Sequence, residues 1–204
     1  MKRALVLIDL QNEYVDGGLP ISYPALDVSV PNIVRALDAA DAAGIATVGV
    51  QHVDDASSPV FARGSRGADL PPALDGRVFA HRVEKQEASA LDGTDLADWI
   101  AREGVDTLTL IGYMTQNCIE ATARDAAQRG LSVEVLSDAT GTLDLANEAG
   151  SISAKDLHES VLIVLHTGFA AVGTTEAWVG AVAAGKPLAA GDLYSSTEVA
   201  RNRA

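Results

Sequence analysis

LTLIGYMTQNCIEATARDAAQRGLSVEVL, residues 108–136, reads as strand, helix, strand. Its opening run, LTLI, lacks the polar alternation of a sheet with one face in water, and so reads as a strand covered on both faces. After Gly112 comes a helical stretch built on Ala121, Ala123, Ala126 and Ala127, small residues that let a helix press close to a sheet. Gly130 ends it, and LSVEVLSDA (131–139) begins a second strand. A helix between two buried strands is the crossover that joins parallel strands, so this stretch alone points to an α/β protein.

The same alternation continues in both directions. RALVLIDL (3–10) is a continuous apolar strand, followed by a helix opening near Pro31 and running through IVRALDAADAAG. IATVGVQHV (45–53) and RVFAHR (77–82) are strands, and TDLADWIAREG (94–104) is a helix with Leu96, Trp99 and Ile100 on one face and Thr94 as its cap. VDTLTLIG (105–112) leads into the central crossover. AKDLHESVLIVLHT (154–167), GFAAVG and a helix near TTEAWVGAVAAG complete the chain, with Trp178 on that helix as packing or a subunit contact. The pattern predicts a doubly wound α/β fold: a mostly parallel sheet of about six strands with helices on both faces, in a single domain over 1–204. Two connections, 16–32 and 54–76, are long enough to cover a site or an interface. Beyond about Lys186 the chain turns polar, as a loose tail or an arm that grips a partner.

Composition narrows the function. No apolar run approaches the ~20 residues of a membrane span. Fifteen basic against 28 acidic residues give a net charge of −13, which repels nucleic acid and anionic membranes alike. The start, MKRALVLIDLQ, meets Asp9 before any small-residue cleavage site and reads as a buried strand rather than a signal peptide. One cysteine makes no internal disulfide, in keeping with a reducing cytoplasm. The expected partner is a small molecule, with no nucleic acid and no membrane.

That one cysteine, Cys118, falls at the strand-to-helix corner of the opening stretch. With Thr115 as N-cap, Gln116, Asn117 and Cys118 form the first helical turn, where unpaired N–H groups and the helix dipole favour thiolate. Ligands in open α/β sheets bind beyond the carboxyl ends of strands, and two further reactive residues fall there: Asp9 after the first strand and Lys85 just past RVFAHR. Each has a plainer alternative. Cys118 serves equally as a small buried hydrophobe, Asp9 as a strand-end cap and Lys85 as a solvated charge.

Three ordered segments, ALVLIDLQNEYVDGG, VEKQEASALDGTDLADWI and LTLIGYMTQNCIEATARDAAQRGLSVEVLSDATGT, together resemble the isochorismatase-like cysteine hydrolases, the superfamily of nicotinamidase and N-carbamoylsarcosine amidohydrolase. The resemblance implies a catalytic triad of Asp9, Lys85 and Cys118. It implies an oxyanion hole from the backbone N–H groups of Met114 and Cys118, with a cis peptide between Tyr113 and Met114. By match to its first motif Gln11 and Tyr14 face the site; Tyr113 lies at its floor and Phe61, in the 54–76 loop, is a candidate lid, with loop anchoring on the core as the equal alternative for Tyr14 and Phe61. Asp9 would take the thiol proton, Lys85 would favour the thiolate, and Cys118 would attack a carbonyl carbon. Metal-binding nicotinamidases carry an Asp-x-His arrangement and a further histidine where this chain has VGVQHVDDAS. Only His52 stands here, and His81, His158 and His166 lack ligand spacing, so neither a metal nor an organic cofactor is expected. The isochorismatase branch proper hydrolyses a vinyl ether without the cysteine, so Cys118 points to a small-molecule C–N bond. The alternatives are vinyl-ether hydrolysis through Asp9 and a non-catalytic, oxidant-sensing or ligand-binding thiol. Family members commonly form dimers or tetramers, so a homo-oligomer is expected.

Overall fold

The computed structural model describes residues 1–203. Among the described residues there are eight strands: β1 (Arg3–Ile8), β2 (Ala46–His52), β3 (His81–Lys85), β4 (Thr107–Tyr113), β5 (Ser132–Gly141), β6 (Leu145–Asn147), β7 (Gly150–Ile152) and β8 (Ala171–Gly173). Six of them form one sheet in the order β3-β2-β1-β4-β5-β8, with every pairing parallel. From β1 the chain winds outward to β2 and β3, then returns to β4 and winds the other way. The order therefore reverses between β1 and β4, and a crevice opens beyond their carboxyl ends.

β1 shows why both faces are covered. Ala4, Val6 and Ile8 enter a core with α3 (Leu96–Glu103), α4 (Glu120–Gln128) and α5 (Ala154–His166). Leu5 and Leu7 enter a second core on the other face, with α2 (Leu26–Ala42) and α6 (Thr175–Ala183). All six residues of the strand are buried, which is what a continuous rather than alternating apolar run requires.

Several boundaries differ from the sequence reading. The first long helix begins at Leu26, not near Pro31, which lies inside it. Seven of the seventeen residues of the expected 16–32 loop are therefore helical; Pro31 is the sixth residue of the helix and forgoes one i→i−4 bond, to the Asp27 carbonyl, which burial of Ile33, Ala36, Leu37 and Ala40 on the same helix outweighs. A short helix α1 (Asn12–Val15) follows β1. The third strand lies at 81–85 rather than 77–82, so Lys85 is its last residue and not a residue beyond it. Register against β2, with His52 opposite Lys85, decides this. Thr94 sits one residue before the Asp95 N-cap and accepts from Leu96 N–H at 3.3 Å. The β6–β7 hairpin was not anticipated; all six of its strand residues are exposed.

The segment after Lys186 is tied down at first. At the amino-terminal end of the sheet, the buried Glu134 carboxylate accepts two bonds from Arg3, at 2.9 and 2.8 Å, one each from Thr109 Oγ1 and Trp178 Nε1, and one from Leu188 N–H. Trp178 is fully buried, so its role within the chain is packing. Beyond this strap, α7 (Leu193–Arg201) buries no residue against the rest of the chain.

Candidate active site

The crevice is furnished by strand ends. Asp9 follows β1 with a left-handed backbone, φ 52°, and is wholly buried. Lys85 ends β3 and reaches across β2, placing Nζ 2.8 Å from Asp9 Oδ2 and 3.2 Å from Cys118 Sγ. Neither Asp9 oxygen accepts a well-directed hydrogen bond from the described residues, so the carboxylate is held by charge and keeps lone pairs free for a proton. Three residues far apart in sequence thus meet in one crevice.

The corner after β4 differs from its expected form. Thr115–Ile119 is a π turn, and the α-helix proper starts only at Glu120. Met114, not Thr115, occupies the N-cap position and caps with no side chain. Thr115 is turned inward instead, its hydroxyl 2.8 Å from His158 Nδ1. His158 Nε2 lies 2.9 Å from the Ser137 carbonyl and so carries the proton, leaving Nδ1 to accept from Thr115. Burial holds this histidine below its usual pKa and hence neutral. Ahead of the turn the Tyr113–Met114 peptide is cis. Gly112, at φ 107°, must be glycine: a Cβ there would lie 1.9 Å from the Ile8 carbonyl oxygen.

Electrostatics also depart from expectation. Burial, reinforced by the neighbouring Asp9 charge and only partly offset by Lys85, pushes the Cys118 thiol up to about 12. At rest the sulfur is a thiol, because loss of solvent outweighs the lysine and the turn's N–H groups. Burial also raises Asp9, against the pull of Lys85. For Lys85, burial works to lower the pKa, but the Asp9 and Cys118 charges prevail and hold it above its ordinary value. The resting cluster is carboxylate, ammonium and thiol, and attack by sulfur requires proton removal at that moment.

The residues expected to face a substrate separate into two kinds. Gln11 is turned away: its amide donates to the carbonyls of His52 and Ala68, both at 2.8 Å, and accepts from His52 N–H at 2.9 Å. Both donors are used on backbone, so Gln11 is a clamp that joins β1, β2 and the 54–76 loop. Asn12 adds to it, donating to the Arg66 carbonyl at 3.0 Å. The other three form an aromatic wall. Tyr14 packs against Phe61 at 5.1 Å and Tyr113 at 5.7 Å between ring centroids. Phe61 takes a left-handed φ of 52° and is buried. The Tyr113 hydroxyl is committed to Ser29 Oγ at 2.7 Å. Burial, with Cys118 and Asp9 close by, raises the pKa of Tyr14, which keeps its proton.

His52, set aside in the sequence as a lone imidazole, lies inside the cluster with Nδ1 3.3 Å from Lys85 Nζ. The signal that could have found it was its place as the last residue of a strand, like Lys85. Asp54 Oδ1 is 3.1 Å from Nε2, but among the described residues no group of three histidine, cysteine or acidic ligands is gathered anywhere. No described helix is long and apolar enough to cross a membrane.

A parallel sheet with an acid, a lysine and a cysteine at its switch point defines a class, and comparison with known proteins gives the family. Residues 3–177 match the model of the isochorismatase domain, and the chain belongs to the isochorismatase family. A crystal structure of a candidate isochorismatase from Burkholderia xenovorans LB400 superposes with a TM-score of 0.97 at 51% identity, covering 98% of this chain and 97% of that one. A secreted isochorismatase effector of Verticillium dahliae is 36% identical over 69% of this chain and 73% of its own length. A nicotinamidase/pyrazinamidase of Mycobacterium tuberculosis is 31% identical over 68% of this chain and 86% of its own.

Proposed function

We propose that this chain hydrolyses a carbon–nitrogen bond of a small amide or carbamoyl compound through a thioester on Cys118. The observation that carries the reading is the Lys85 ammonium standing 2.8 Å from Asp9 and 3.2 Å from the Cys118 sulfur. Asp9 takes the thiol proton as sulfur attacks the carbonyl carbon, and Lys85 holds the charge that develops on sulfur. The C–N bond breaks as the leaving nitrogen recovers that proton from Asp9. Water then attacks the thioester, giving one proton to Asp9, which returns it to the departing sulfur. A free thiol is restored. The Met114 and Cys118 N–H groups serve the oxyanion, and Tyr14, Phe61 and Tyr113 line the substrate's apolar side. The working unit is a cytoplasmic homo-oligomer that needs neither metal nor organic cofactor.

A panel of amides, carbamoyl compounds and hydroxamates read by ammonia release tests this, with Cys118→Ala as control. Turnover should fall by at least ~10³ in the variant. Undiminished release would end the reading.

Vinyl-ether hydrolysis is the second reading, favoured by the raised Asp9 pKa and by the resemblance to the Verticillium protein. Asp9 would then act as an acid and Cys118 would stand idle, so Cys118→Ala would leave that activity intact. A standing thiolate sensor fits least well with a thiol pushed up to about 12.

A further inference from the structure

The Lys85 ammonium is ion-paired with Asp9 Oδ2 at 2.8 Å, and its three hydrogens have three acceptors: the Glu87 carbonyl at 3.1 Å, Cys118 Sγ at 3.2 Å and His52 Nδ1 at 3.3 Å. The proposed chemistry uses the carboxylate and the sulfur. The imidazole has no part in it, yet its orientation is fixed from two sides. Asp54 Oδ1 lies 3.1 Å from Nε2, and the ring meets Phe61 edge-on at 5.3 Å. A carboxylate at Nε2 draws the ring proton there and leaves Nδ1 as a bare lone pair aimed at the ammonium.

We propose that His52, oriented by Asp54, is a positioning residue that holds the Lys85 ammonium between Asp9 and Cys118. This rests on the thiol-dependent reading of the site. Lysine is a point charge on a flexible four-carbon stem, and a buried one comes to rest where its acceptors are. Asp9 alone would draw Nζ wholly toward the carboxylate. The lone pair of His52 provides a pull from the β2 side, so that the charge stays within reach of sulfur. Asp54 ties the device to the covering loop, since its N–H donates to the Phe61 carbonyl at 3.0 Å and its carbonyl accepts from Arg63 N–H at 3.1 Å. Order in the loop that carries Phe61 and the position of the lysine are thereby coupled.

The test compares His52→Asn, whose side-chain oxygen takes the place of Nδ1, with His52→Leu, which fills the volume without an acceptor. Two readouts are taken: the rate of Cys118 alkylation by iodoacetamide at about pH 9, and kcat and KM on an amide the wild type hydrolyses. His52→Leu should slow alkylation and lower kcat on the order of tenfold with KM little changed, while His52→Asn stays within about threefold of wild type. Alkylation of His52→Leu at the wild-type rate overturns the proposal, as does an equal loss in both variants, which would assign the effect to ring packing. Should His52→Leu not fold, Asp54→Ala takes its place. It should slow alkylation about threefold, and no change overturns the proposal. Alkylation needs no substrate, so hydrolysis that survives Cys118→Ala would sink the functional reading while the His52 comparison still decides its own question.

Discussion

The Gln11 side chain bonds the His52 backbone as a neighbouring strand would, giving one hydrogen bond to its carbonyl at 2.8 Å and taking one from its N–H at 2.9 Å. A side chain thus extends the sheet by one rung past the end of β1, at the point where the two long loops must be anchored. Gln11→Leu leaves buried backbone groups unpaired and should cost about 2–3 kcal/mol. Urea denaturation measures this. Because Gln11 clamps the His52 backbone and the covering loop, iodoacetamide alkylation of Cys118 in the folded variant should also slow, by less than in His52→Leu.

Asp9 and Lys85 are a fully buried pair, so removing one partner strands the other. Asp9→Asn should abolish thiol-dependent turnover and cost ~3–5 kcal/mol, whereas Asp9→Asn combined with Lys85→Met should recover most of the stability and none of the activity. A double variant as unstable as the single would contradict this. In the wild type only ionised Asp9 can take the thiol proton. Burial raises its pKa, so the acid limb of kcat/KM should lie above the ordinary carboxylate value of 3.8.

Cys118 makes stability depend on alkaline pH. In the unfolded chain the thiol ionises near 9.0, while in the folded chain it keeps its proton to about 12. Above the first value the folded state binds more protons than the unfolded, so unfolding becomes easier as pH rises. The wild type should lose about 1.4 kcal/mol per pH unit more than Cys118→Ser through this window. Lys85, also raised, adds alkaline loss above 10.5, but does so in both proteins. Parallel stability curves for the two would show that the sulfur is not burdened by burial.

Glu134 anchors the opposite end of the sheet. Glu134→Gln replaces an acceptor-only carboxylate with an amide facing Arg3, Trp178 and Leu188 N–H. The loss should be ~3–5 kcal/mol, with a shift in tryptophan emission as the 186–191 strap loosens. Hydrolysis per folded molecule should be unchanged, as the network lies away from the crevice.

Of the glycines, Gly112 has the least room for a side chain. Gly112→Ala would drive a methyl into the Ile8 carbonyl at the β1–β4 switch point, and the expected result is insoluble protein or one without the Asp9–Cys118 juxtaposition. A soluble, active variant would contradict the steric argument.

Hydrophobic patterning carried the class of fold. ALVLI and LTLI lack alternation because helices cover both faces, and such runs between helical patterns leave few choices but a parallel sheet. Local composition carried less of the boundaries. Pro31 suggested a helix start and lies within the helix, and Lys85 belongs to β3 because pairing with β2, not propensity, ends that strand. Thr115 has the chemistry of an N-cap, yet its hydroxyl goes to His158, forty-three residues on, which no local rule can see.

The order of segments along the chain was enough to nominate Asp9, Lys85 and Cys118. Only the folded chain decided their charge states, because a pKa depends on the solvent lost and the charges gained when distant strand ends meet. The same is true of Gln11, which as a sequence position looked toward substrate and in space spends its amide on backbone. It is true of His52, set aside as a lone candidate ligand until β2 and β3 come into register beside Cys118. Sequence fixes which side chains stand at which strand ends. Distance and burial, which exist only once the sheet has formed, decide what those side chains can do.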